Sequence, residues 1–338
     1  MKRVCSAGVW GALVVSLVAM LFVPGQAAAE ELLGVKVERR VFPVTLSDGN
    51  TYEVVGYLYY QGSLENRPVQ VLTHGITYTH AYWDMPSING ESYSYAQYMA
   101  RRHYAVLALD MLGTGESSRP DGDFLSLPET VSSLHQVVQQ LRATAQKNTF
   151  EQVVYVGHSN GALLSTFAQA LFQDADALVL TGWMNSFRTL PVGPEVILPL
   201  LANPYVALPP EMRAALFYDA ANSDPAVAAY DNASISDTVS RGQLLGMLGT
   251  IADPSLIPTA QLTGPVLVQL GDHDPVAPAA LAAQEAGSYP NAAVQVQTLS
   301  DIGHVYNGHY TREQSWAGID AWIRATLPRL DSALKQRK

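Results

Sequence analysis

The sequence predicts an α/β fold in which helices cover both faces of a mostly parallel central sheet. Apolar runs of strand length recur along the chain, and their apolar residues are continuous, as in strands that are buried on both faces. Stretches with helical character separate these runs, which is the alternation of βαβ units. A composition with 48% hydrophobic and 15% charged residues fits an ordinary globular protein. The runs are VQVLTHG at 69–75, YAVLALD at 104–110, QVVYVGH at 152–158, ALVLTGW at 177–183 and PVLVQLGD at 265–272.

The pattern of the first 29 residues predicts a segment that is cleaved from the amino terminus of the folded protein. Two basic residues at the start precede an apolar run over residues 9–23, and the small residues AAA end at Ala29. This order is typical of a secretory signal peptide, with cleavage after Ala29. The apolar stretch over residues 4–23 is nearly long enough to span a bilayer, so an uncleaved anchor is the alternative. We expect a secreted or periplasmic protein with no stable membrane association after cleavage.

The net charge indicates which classes of partner the chain can bind, and the cysteine content indicates whether it can form disulfides. The formal net charge is −10 at pH 7, and loss of Lys2 and Arg3 with the leader would make it more negative. This balance, without any basic patch, argues against binding to nucleic acid or to an anionic membrane. The single cysteine, Cys5, lies in the leader, so the mature chain would form no internal disulfide. We therefore expect a small-molecule partner, and the sequence leaves the oligomeric state open.

The remaining elements follow from local patterns. Segments at 35–46 and 51–62 alternate more strongly and are separated by SDGN, which predicts an antiparallel hairpin at the edge of the sheet. From about 185 to 258 the strand rhythm stops, and Pro, Ala and Leu predict short helices of a cap inserted after the sixth strand. The predicted helices lie at 92–102, 129–147, 160–173, 277–287 and 311–326. The predicted division is a signal peptide at 1–29, a core at 30–184, a cap at 185–258 and the rest of the core at 259–338.

Ser159 lies where a buried strand passes into a helix. Gly157 and Gly161 flank it at two residues' distance, which is the G-x-S-x-G pattern of a nucleophile elbow in the strand–turn–helix context that it requires. Larger side chains at the two glycines would collide with neighbouring elements, and the turn holds the serine in a strained conformation. The hydroxyl would face the helix dipole and the N–H of Asn160. A five-residue match can also be an ordinary turn, so other positions must decide.

A serine nucleophile needs a histidine that takes its proton and a carboxylate that orients the histidine. Asp272 and Asp274 lie at the end of the last apolar run, and His304 follows another apolar stretch about thirty residues later. The order Ser, Asp, His is that of hydrolases with a nucleophile elbow. No HExxH or HxxEH pattern accompanies these residues, so we expect neither a metal nor a cofactor.

Residues 35–328 resemble the α/β-hydrolase superfamily of serine esterases and lipases. The resemblance depends on HGI at 74–76, DMLGTGES at 110–117, GHSNG at 157–161, and the pair GDHDP and DIGH. It implies an α/β-hydrolase fold with Ser159 as nucleophile, His304 as general base and acid, and Asp274 as the orienting carboxylate.

The same resemblance assigns supporting roles around these three residues. Asp274 is favoured over Asp272 because the family's acid is usually the second aspartate of a GDxD motif, which leaves Asp272 to hold the loop. The backbone N–H groups of Ile76 and Asn160 would form the oxyanion hole, and His74 would brace the HGI loop.

Two other histidines have simpler interpretations. His158 adjoins the nucleophile, but its side chain should point to the opposite side of the strand end. His309 lies in a polar loop and lacks the DIGH match, so we do not expect it to replace His304.

The predicted function is a secreted serine hydrolase that cleaves carboxylic esters, lactones or thioesters. Tyr78, Trp83 and Trp183 should stand near the oxyanion hole and favour an apolar or aromatic ester, although such rings can equally pack as core. A carbon–carbon bond hydrolase, a cofactor-free perhydrolase, an amidase or peptidase, and a noncatalytic hydrolase-like binding protein are the alternatives. Dehalogenases and epoxide hydrolases of this fold are excluded, since they require an aspartate in place of Ser159.

Overall fold

A computed structural model describes residues 34–143, 150–186 and 193–327 of the chain. The predicted signal peptide, its cleavage site and Cys5 lie outside these residues. Among the described helices, none combines the length and the apolar character needed to cross a membrane.

An eight-stranded sheet forms the centre of the described fold, with the order β1-β2-β6-β3-β7-β8-β11-β12. Two short ladders, β4 with β5 and β9 with β10, lie outside it. The strands are β1 Lys36–Thr45, β2 Thr51–Tyr60, β3 Val69–Thr73, β4 Met85–Ile88, β5 Glu91–Tyr93, β6 Ala105–Asp110, β7 Val153–His158, β8 Ala177–Thr181, β9 Tyr205–Ala207, β10 Thr238–Ser240, β11 Pro265–Gly271 and β12 Ala293–Leu299.

Strand pairing confirms the predicted mostly parallel sheet. β1 pairs with β2, and β2 with β6, in antiparallel fashion, while every other neighbouring pair of the central sheet is parallel. The β1–β2 hairpin lies at the edge, with Lys36 opposite Tyr60 and Thr45 opposite Thr51. All residues of β3, β6 and β7 are buried, which explains why these strands read as continuous apolar runs.

Successive side chains of the central strands enter two separate apolar clusters. In β7, Val153 and Tyr155 belong to one cluster, whereas Val154 and Val156 belong to the other. Because side chains alternate across a strand, the two clusters are the two covered faces of the sheet. Each fully buried valine or leucine contributes about 1.5–3 kcal/mol relative to an exposed one, so both layers stabilise the fold.

The helices of the described residues occupy most of the predicted positions. They are α1 Tyr95–Ala100, α2 Leu127–Arg142, α3 Asn160–Phe172, α4 Pro194–Leu200, α5 Pro210–Phe217, α6 Pro225–Tyr230, α7 Arg241–Ala252, α8 Ala282–Ala286 and α9 Glu313–Thr326. The helix predicted at 277–287 is shorter than expected: Ala279–Leu281 is a 3₁₀ turn, and only α8 is α-helical. Pro278 directly precedes this turn and cannot extend a helix in the amino-terminal direction, because its ring displaces the preceding residue from the helical region.

The chain between the sixth and seventh strands of the central sheet, β8 and β11, contains α4 to α7 and the β9–β10 ladder. These short helices agree with the pattern read from the sequence. The division of the chain into a core and a cap at 185–258 stays a prediction.

Candidate active site

Ser159 lies in a tight turn between β7 and α3. Its φ of 54° and ψ of −123° place it in a backbone region that residues other than glycine rarely adopt. A Cβ atom at Gly157 would come within 2.5 Å of the Ala162 Cα, and one at Gly161 would overlap the carbonyl oxygen of Thr73. Both flanking positions therefore accept only glycine, for the steric reason expected from the G-x-S-x-G spacing.

The structure brings Ser159, His304 and Asp274 into one hydrogen-bonded chain. The Nε2 atom of His304 lies 2.9 Å from the Ser159 Oγ, and its Nδ1 atom lies 3.0 Å from the Asp274 Oδ2. All three residues are at least 94% buried, with exposed fractions of 6%, 2% and 1%. Because the carboxylate can only accept, Nδ1 carries the proton, and Nε2 is left free to accept the proton of the serine hydroxyl.

Asp274 is held by backbone donors on its own loop. Its Oδ1 atom accepts hydrogen bonds from the N–H groups of Val276 at 2.8 Å and Ala277 at 3.0 Å. Asp272 instead has a 42% exposed side chain, and its Oδ1 accepts the N–H of Ile302 at 3.4 Å. Asp274 is thus the aspartate in contact with His304, and Asp272 contacts the loop that carries the histidine.

The HGI loop lies directly against the nucleophile. A Cβ atom at Gly75 would be 3.2 Å from the Cβ of Ser159. His74 donates from Nδ1 to the Gly75 carbonyl at 2.8 Å, and its Nε2 accepts the N–H of Met111 at 3.2 Å. Burial lowers the pKa of His74, which keeps the ring neutral in this tautomer. The Gly75 carbonyl and the Ile76 N–H belong to one planar trans peptide and point in opposite directions, so His74 sets the direction of that N–H.

Asn160 supplies a second backbone donor beside the serine. It is the first residue of α3, so its N–H has no acceptor within the helix. The partial positive charge of the helix N-terminus lies at the same point. Of the two predicted oxyanion donors, the Asn160 N–H therefore lies at the start of α3, and the Ile76 N–H lies on the HGI loop that packs against Ser159.

Ser159 and His304 open onto an apolar cavity. Apart from these two residues its lining is entirely apolar, and most of the lining comes from the segment between β8 and β11. The lining residues are Ile76, Ser159, Trp183, Ile197, Leu200, Leu208, Met212, Leu216, Phe217, Leu244, Met247, Leu248, Ile251, Val276 and His304. The sequence indicated an apolar cap by composition, but it did not identify which leucines and methionines face the serine.

The aromatic residues predicted to contact substrate divide into two groups. Trp183 lines the cavity, as expected. Tyr78 and Trp83 do not reach it and are only 1% and 2% exposed. Tyr78 donates its hydroxyl to Asp231 at 2.6 Å, and the Trp83 ring packs 4.9 Å from Tyr82. Both rings belong to the buried apolar cluster beside the site, and Trp83 is the last residue of a 3₁₀ turn, His80–Trp83.

His158 is closer to the site than predicted. Its ring stacks on Tyr82 at 4.6 Å and lies 5.0 Å from the ring of His304, so its side chain does not point away from the site. Its Nδ1 is 3.1 Å from the Thr181 hydroxyl. Burial, and then the neighbouring His304, lower the pKa of His158 well below its usual value, so it packs against the site as an uncharged ring.

His309, in the loop that follows DIGH, is fully buried. It donates from Nδ1 to the Val305 carbonyl at 2.8 Å. Its Nε2 accepts the N–H groups of Gly303 at 3.1 Å and Asp219 at 3.0 Å. His309 therefore braces the loop of His304 and does not replace that residue. Nothing in the one-dimensional pattern distinguished this role.

Within residues 34–143, 150–186 and 193–327, no cluster of three or more His, Cys, Asp or Glu side chains is arranged to hold a metal ion. The site offers a hydroxyl, an imidazole, a carboxylate and backbone N–H groups around an apolar space. Such a set can perform nucleophilic substitution at a carbonyl carbon without any bound metal or cofactor.

Most of the chain matches a known protein family. The model of the serine aminopeptidase (S33) family matches residues 90–306, which include the motifs from DMLGTGES to DIGH. No curated protein sequence matches the chain.

Solved structures of esterases resemble the fold. A thermophilic esterase from Thermogutta terrifontis, solved with malate bound, is 19% identical, with a TM-score of 0.64 over 86% of this chain and 99% of its own. An esterase from Exiguobacterium antarcticum is 17% identical, with a TM-score of 0.63 over 84% of this chain and 100% of its own. Est1E from Butyrivibrio proteoclasticus, solved with ferulic acid, is 15% identical, with a TM-score of 0.55 over 85% of this chain and 99% of its own. At these identities the likeness shows a shared α/β-hydrolase fold.

Proposed function

Because the chain belongs to the serine aminopeptidase (S33) family of α/β-hydrolases, we propose that it is a serine hydrolase that cleaves carboxylic esters through an acyl-enzyme. The single observation that carries this proposal is the hydrogen-bonded chain from Ser159 through His304 to Asp274 at the wall of an apolar cavity. The proposed oxyanion donors are the N–H groups of Ile76 and Asn160.

The proposed reaction follows from the positions of these atoms. The Ser159 Oγ attacks the ester carbonyl carbon while the His304 Nε2 takes its proton, and Asp274 stabilises the imidazolium that forms. The negative oxygen of the tetrahedral intermediate would lie between the two backbone donors. His304 then protonates the leaving alcohol as the carbon–oxygen bond breaks. In the second half, a water that gives its proton to His304 attacks the acyl carbon, which releases the acid and restores the Ser159 hydroxyl.

The cavity lining favours an ester over a peptide with a free amino terminus. An aminopeptidase must hold a positively charged α-ammonium group, which in an apolar site requires a carboxylate partner. The described lining of the cavity contains no acidic side chain. Glu211 lines only a more open neighbouring groove, next to Met212 and Pro275. A neutral, apolar acyl group fits these walls, and Est1E, which shares the fold, was solved with ferulic acid, an aromatic carboxylic acid.

An acyl-chain series tests this substrate class. We expect kcat/KM to rise by up to about 200-fold from p-nitrophenyl acetate to the hexanoate, because each of the four added methylenes contributes about 0.8 kcal/mol when buried. Benzoate should also exceed acetate, whereas leucine p-nitroanilide should be a poor substrate. The amine leaving group must be protonated before it departs, and the ammonium group lacks a partner in the cavity. The measurement is kcat/KM on one leaving-group scaffold.

Two substitutions on α7 provide a matched control for the series. Leu248 lines the cavity, whereas Leu245 on the same helix is 50% exposed. Leu248→Asn should lower the preference for hexanoate over acetate about tenfold, and Leu245→Asn should leave it unchanged. A flat acyl series in the unsubstituted protein would refute the apolar acyl site. An anilide rate close to the ester rate would assign the chain to the amidases or peptidases instead.

We also propose that the protein is exported and processed. The order of basic residues, apolar run and A-x-A sequence in residues 1–29 supports cleavage before Glu30. Mass spectrometry of exported protein should find an amino terminus at Glu30. Recovery of the intact chain only with membranes would favour an uncleaved anchor over a signal peptide.

A further inference from the structure

A buried ion pair lies behind the proposed oxyanion hole. Arg213 on α5 and Asp231 just after α6 are 1% and 0% exposed, and the Arg213 Nη2 donates to the Asp231 carboxylate. The hydroxyls of Tyr78 and Tyr218 donate to the other carboxylate oxygen, at 2.6 Å and 2.7 Å. Burial raises the pKa of both tyrosines well above the usual value, so both remain protonated donors. The carboxylate is thus satisfied by three donors.

The second arm of the Arg213 guanidinium contacts the loop that carries Ile76. Its Nη1 donates to the Thr77 hydroxyl at 2.7 Å and to the Thr77 carbonyl at 3.2 Å. The same carbonyl also accepts the N–H of Asp237 at 2.9 Å. All of these donors come from the segment between β8 and β11. That segment therefore both forms the cavity wall and holds the HGI loop.

Thr77 adopts a conformation that requires such support. Its φ is 57°, and a β-branched residue in the left-handed region is a steric outlier. Residues of this kind keep their conformation only where surrounding contacts impose it, and they occur preferentially at functional sites. Thr77 directly follows Ile76, so contacts that fix the position of Thr77 also limit where the chain can place Ile76 beside Ser159.

We propose that Arg213 is a positioning residue for the reaction. It holds Thr77 and thereby keeps the Ile76 N–H in the geometry that binds the oxyanion. This inference rests on the proposed function. His74 holds the Gly75–Ile76 peptide, which carries the Ile76 N–H, and Arg213 holds Thr77, the next residue of the loop. Displacement of a reacting group by about 1 Å can cost on the order of 100-fold in rate, so the second contact matters even though Arg213 does not line the cavity.

The chemistry of the pair favours this role over stability alone. A buried ion pair is often no more stabilising than apolar residues of the same volume. The planar fork of arginine can bond a carboxylate with one arm and two oxygens of Thr77 with the other, which a lysine ammonium cannot do from one position. The residue type therefore matches simultaneous contact with Asp231 and Thr77.

The test compares Arg213→Lys and Thr77→Ala with Tyr218→Phe. The lysine variant keeps the buried charge but loses the fork, the alanine variant loses the hydroxyl contact, and the phenylalanine variant loses a bond to the same Asp231 without touching Thr77. For a hexanoate ester we expect kcat to fall about 10- to 100-fold in Arg213→Lys and several-fold in Thr77→Ala, with KM within about threefold. Tyr218→Phe should leave kcat unchanged.

An inhibitor that forms the oxyanion distinguishes positioning from stability. Loss of stability alone would not change the Ki of such an inhibitor. A trifluoromethyl ketone with a hexyl chain forms a bond between its carbonyl carbon and the Ser159 Oγ, and its oxygen becomes the oxyanion. Its Ki should rise in Arg213→Lys by about the same factor by which kcat/KM falls. The ground-state KM should not change in parallel.

Three results would overturn the inference. Folded Arg213→Lys protein with unchanged kcat and Ki would make the pair purely structural. If Arg213→Lys does not fold, an unaltered kcat and Ki in Thr77→Ala would refute the positioning role in the same way. Unsubstituted protein that neither hydrolyses esters nor reacts with a fluorophosphonate at Ser159 would remove the proposed function itself, and this is measured first so that the two failures are distinguished.

Discussion

Ester turnover should fall by about 10⁴- to 10⁶-fold in Ser159→Ala and in His304→Ala, with each variant still folded. The Ser159 Oγ and the His304 Nε2 are 2.9 Å apart, so removal of either group abolishes the proton transfer that makes the hydroxyl nucleophilic. The double variant should be no slower than either single variant, because the two groups act as one unit. Steady-state rates and thermal unfolding of the three proteins measure this.

Ser165 provides the matched control for the nucleophile. It is a buried serine on the same helix, α3, whose Oγ lies 2.9 Å from the Thr73 hydroxyl and not near His304. Ser165→Ala should retain turnover within a few-fold, and a fluorophosphonate should label this variant and the unsubstituted protein but not Ser159→Ala. Full labelling of Ser159→Ala, or undiminished ester turnover in it, would eliminate Ser159 as the nucleophile.

The second large effect separates two aspartates that are two positions apart. Asp274→Asn should lower kcat by about 10⁴-fold, because the amide can donate to His304 Nδ1 and thereby favours the tautomer whose Nε2 carries the proton. That tautomer cannot accept the proton of the Ser159 hydroxyl. Asp272→Asn should change kcat by less than about threefold, since the Asp272 side chain is 42% exposed and contacts the Ile302 N–H and the His273 ring rather than His304.

The kcat values of Asp274→Asn and Asp272→Asn are compared over a range of pH, at temperatures at which both proteins are folded. Asp274 also accepts two backbone N–H groups, so Asp274→Asn is expected to unfold at a lower temperature than the unsubstituted protein. Rates are therefore measured well below both unfolding transitions. A larger loss of kcat in Asp272→Asn than in Asp274→Asn would show that the orienting carboxylate has been assigned to the wrong residue.

Local sequence patterns predicted the elements whose structure depends on near neighbours. We identified β3, β6 and β7 from continuous apolar runs, because these strands are buried on both faces. We identified the edge strand β1 from its alternation, because burial on one face leaves a period of two. The Ser159 turn was identified for a related reason. Gly157 is required by a clash with the start of α3, which follows it in sequence, and Gly161 by a clash with the end of the neighbouring strand β3.

Elements that depend on competing local signals were predicted less well. The helix expected at 277–287 is a three-residue 3₁₀ turn followed by the five-residue α8, and Pro278 opposes the helical propensity of the residue before it. The aromatic loop was correctly placed beside the site, yet Tyr78 and Trp83 turned inward, whereas Trp183 faces the cavity. An aromatic side chain is apolar enough for either position, so its residue type does not decide between them.

The sequence by itself determined which residues are able to perform the proposed chemistry, because the identities of Ser159, Asp274 and His304 and the two glycines around the serine are local facts. Only the tertiary structure decided which groups meet. His304 reaches Ser159 across 145 residues, and Arg213 reaches Thr77 across 136. Contacts between residues so far apart in the chain depend on how whole elements pack, and no short periodic pattern in the sequence predicts them. The tertiary structure therefore revealed that His309 braces the histidine loop and that Arg213 contacts Thr77 beside Ile76, since each role depends on partners distant in the chain or on burial that neighbouring residues do not encode.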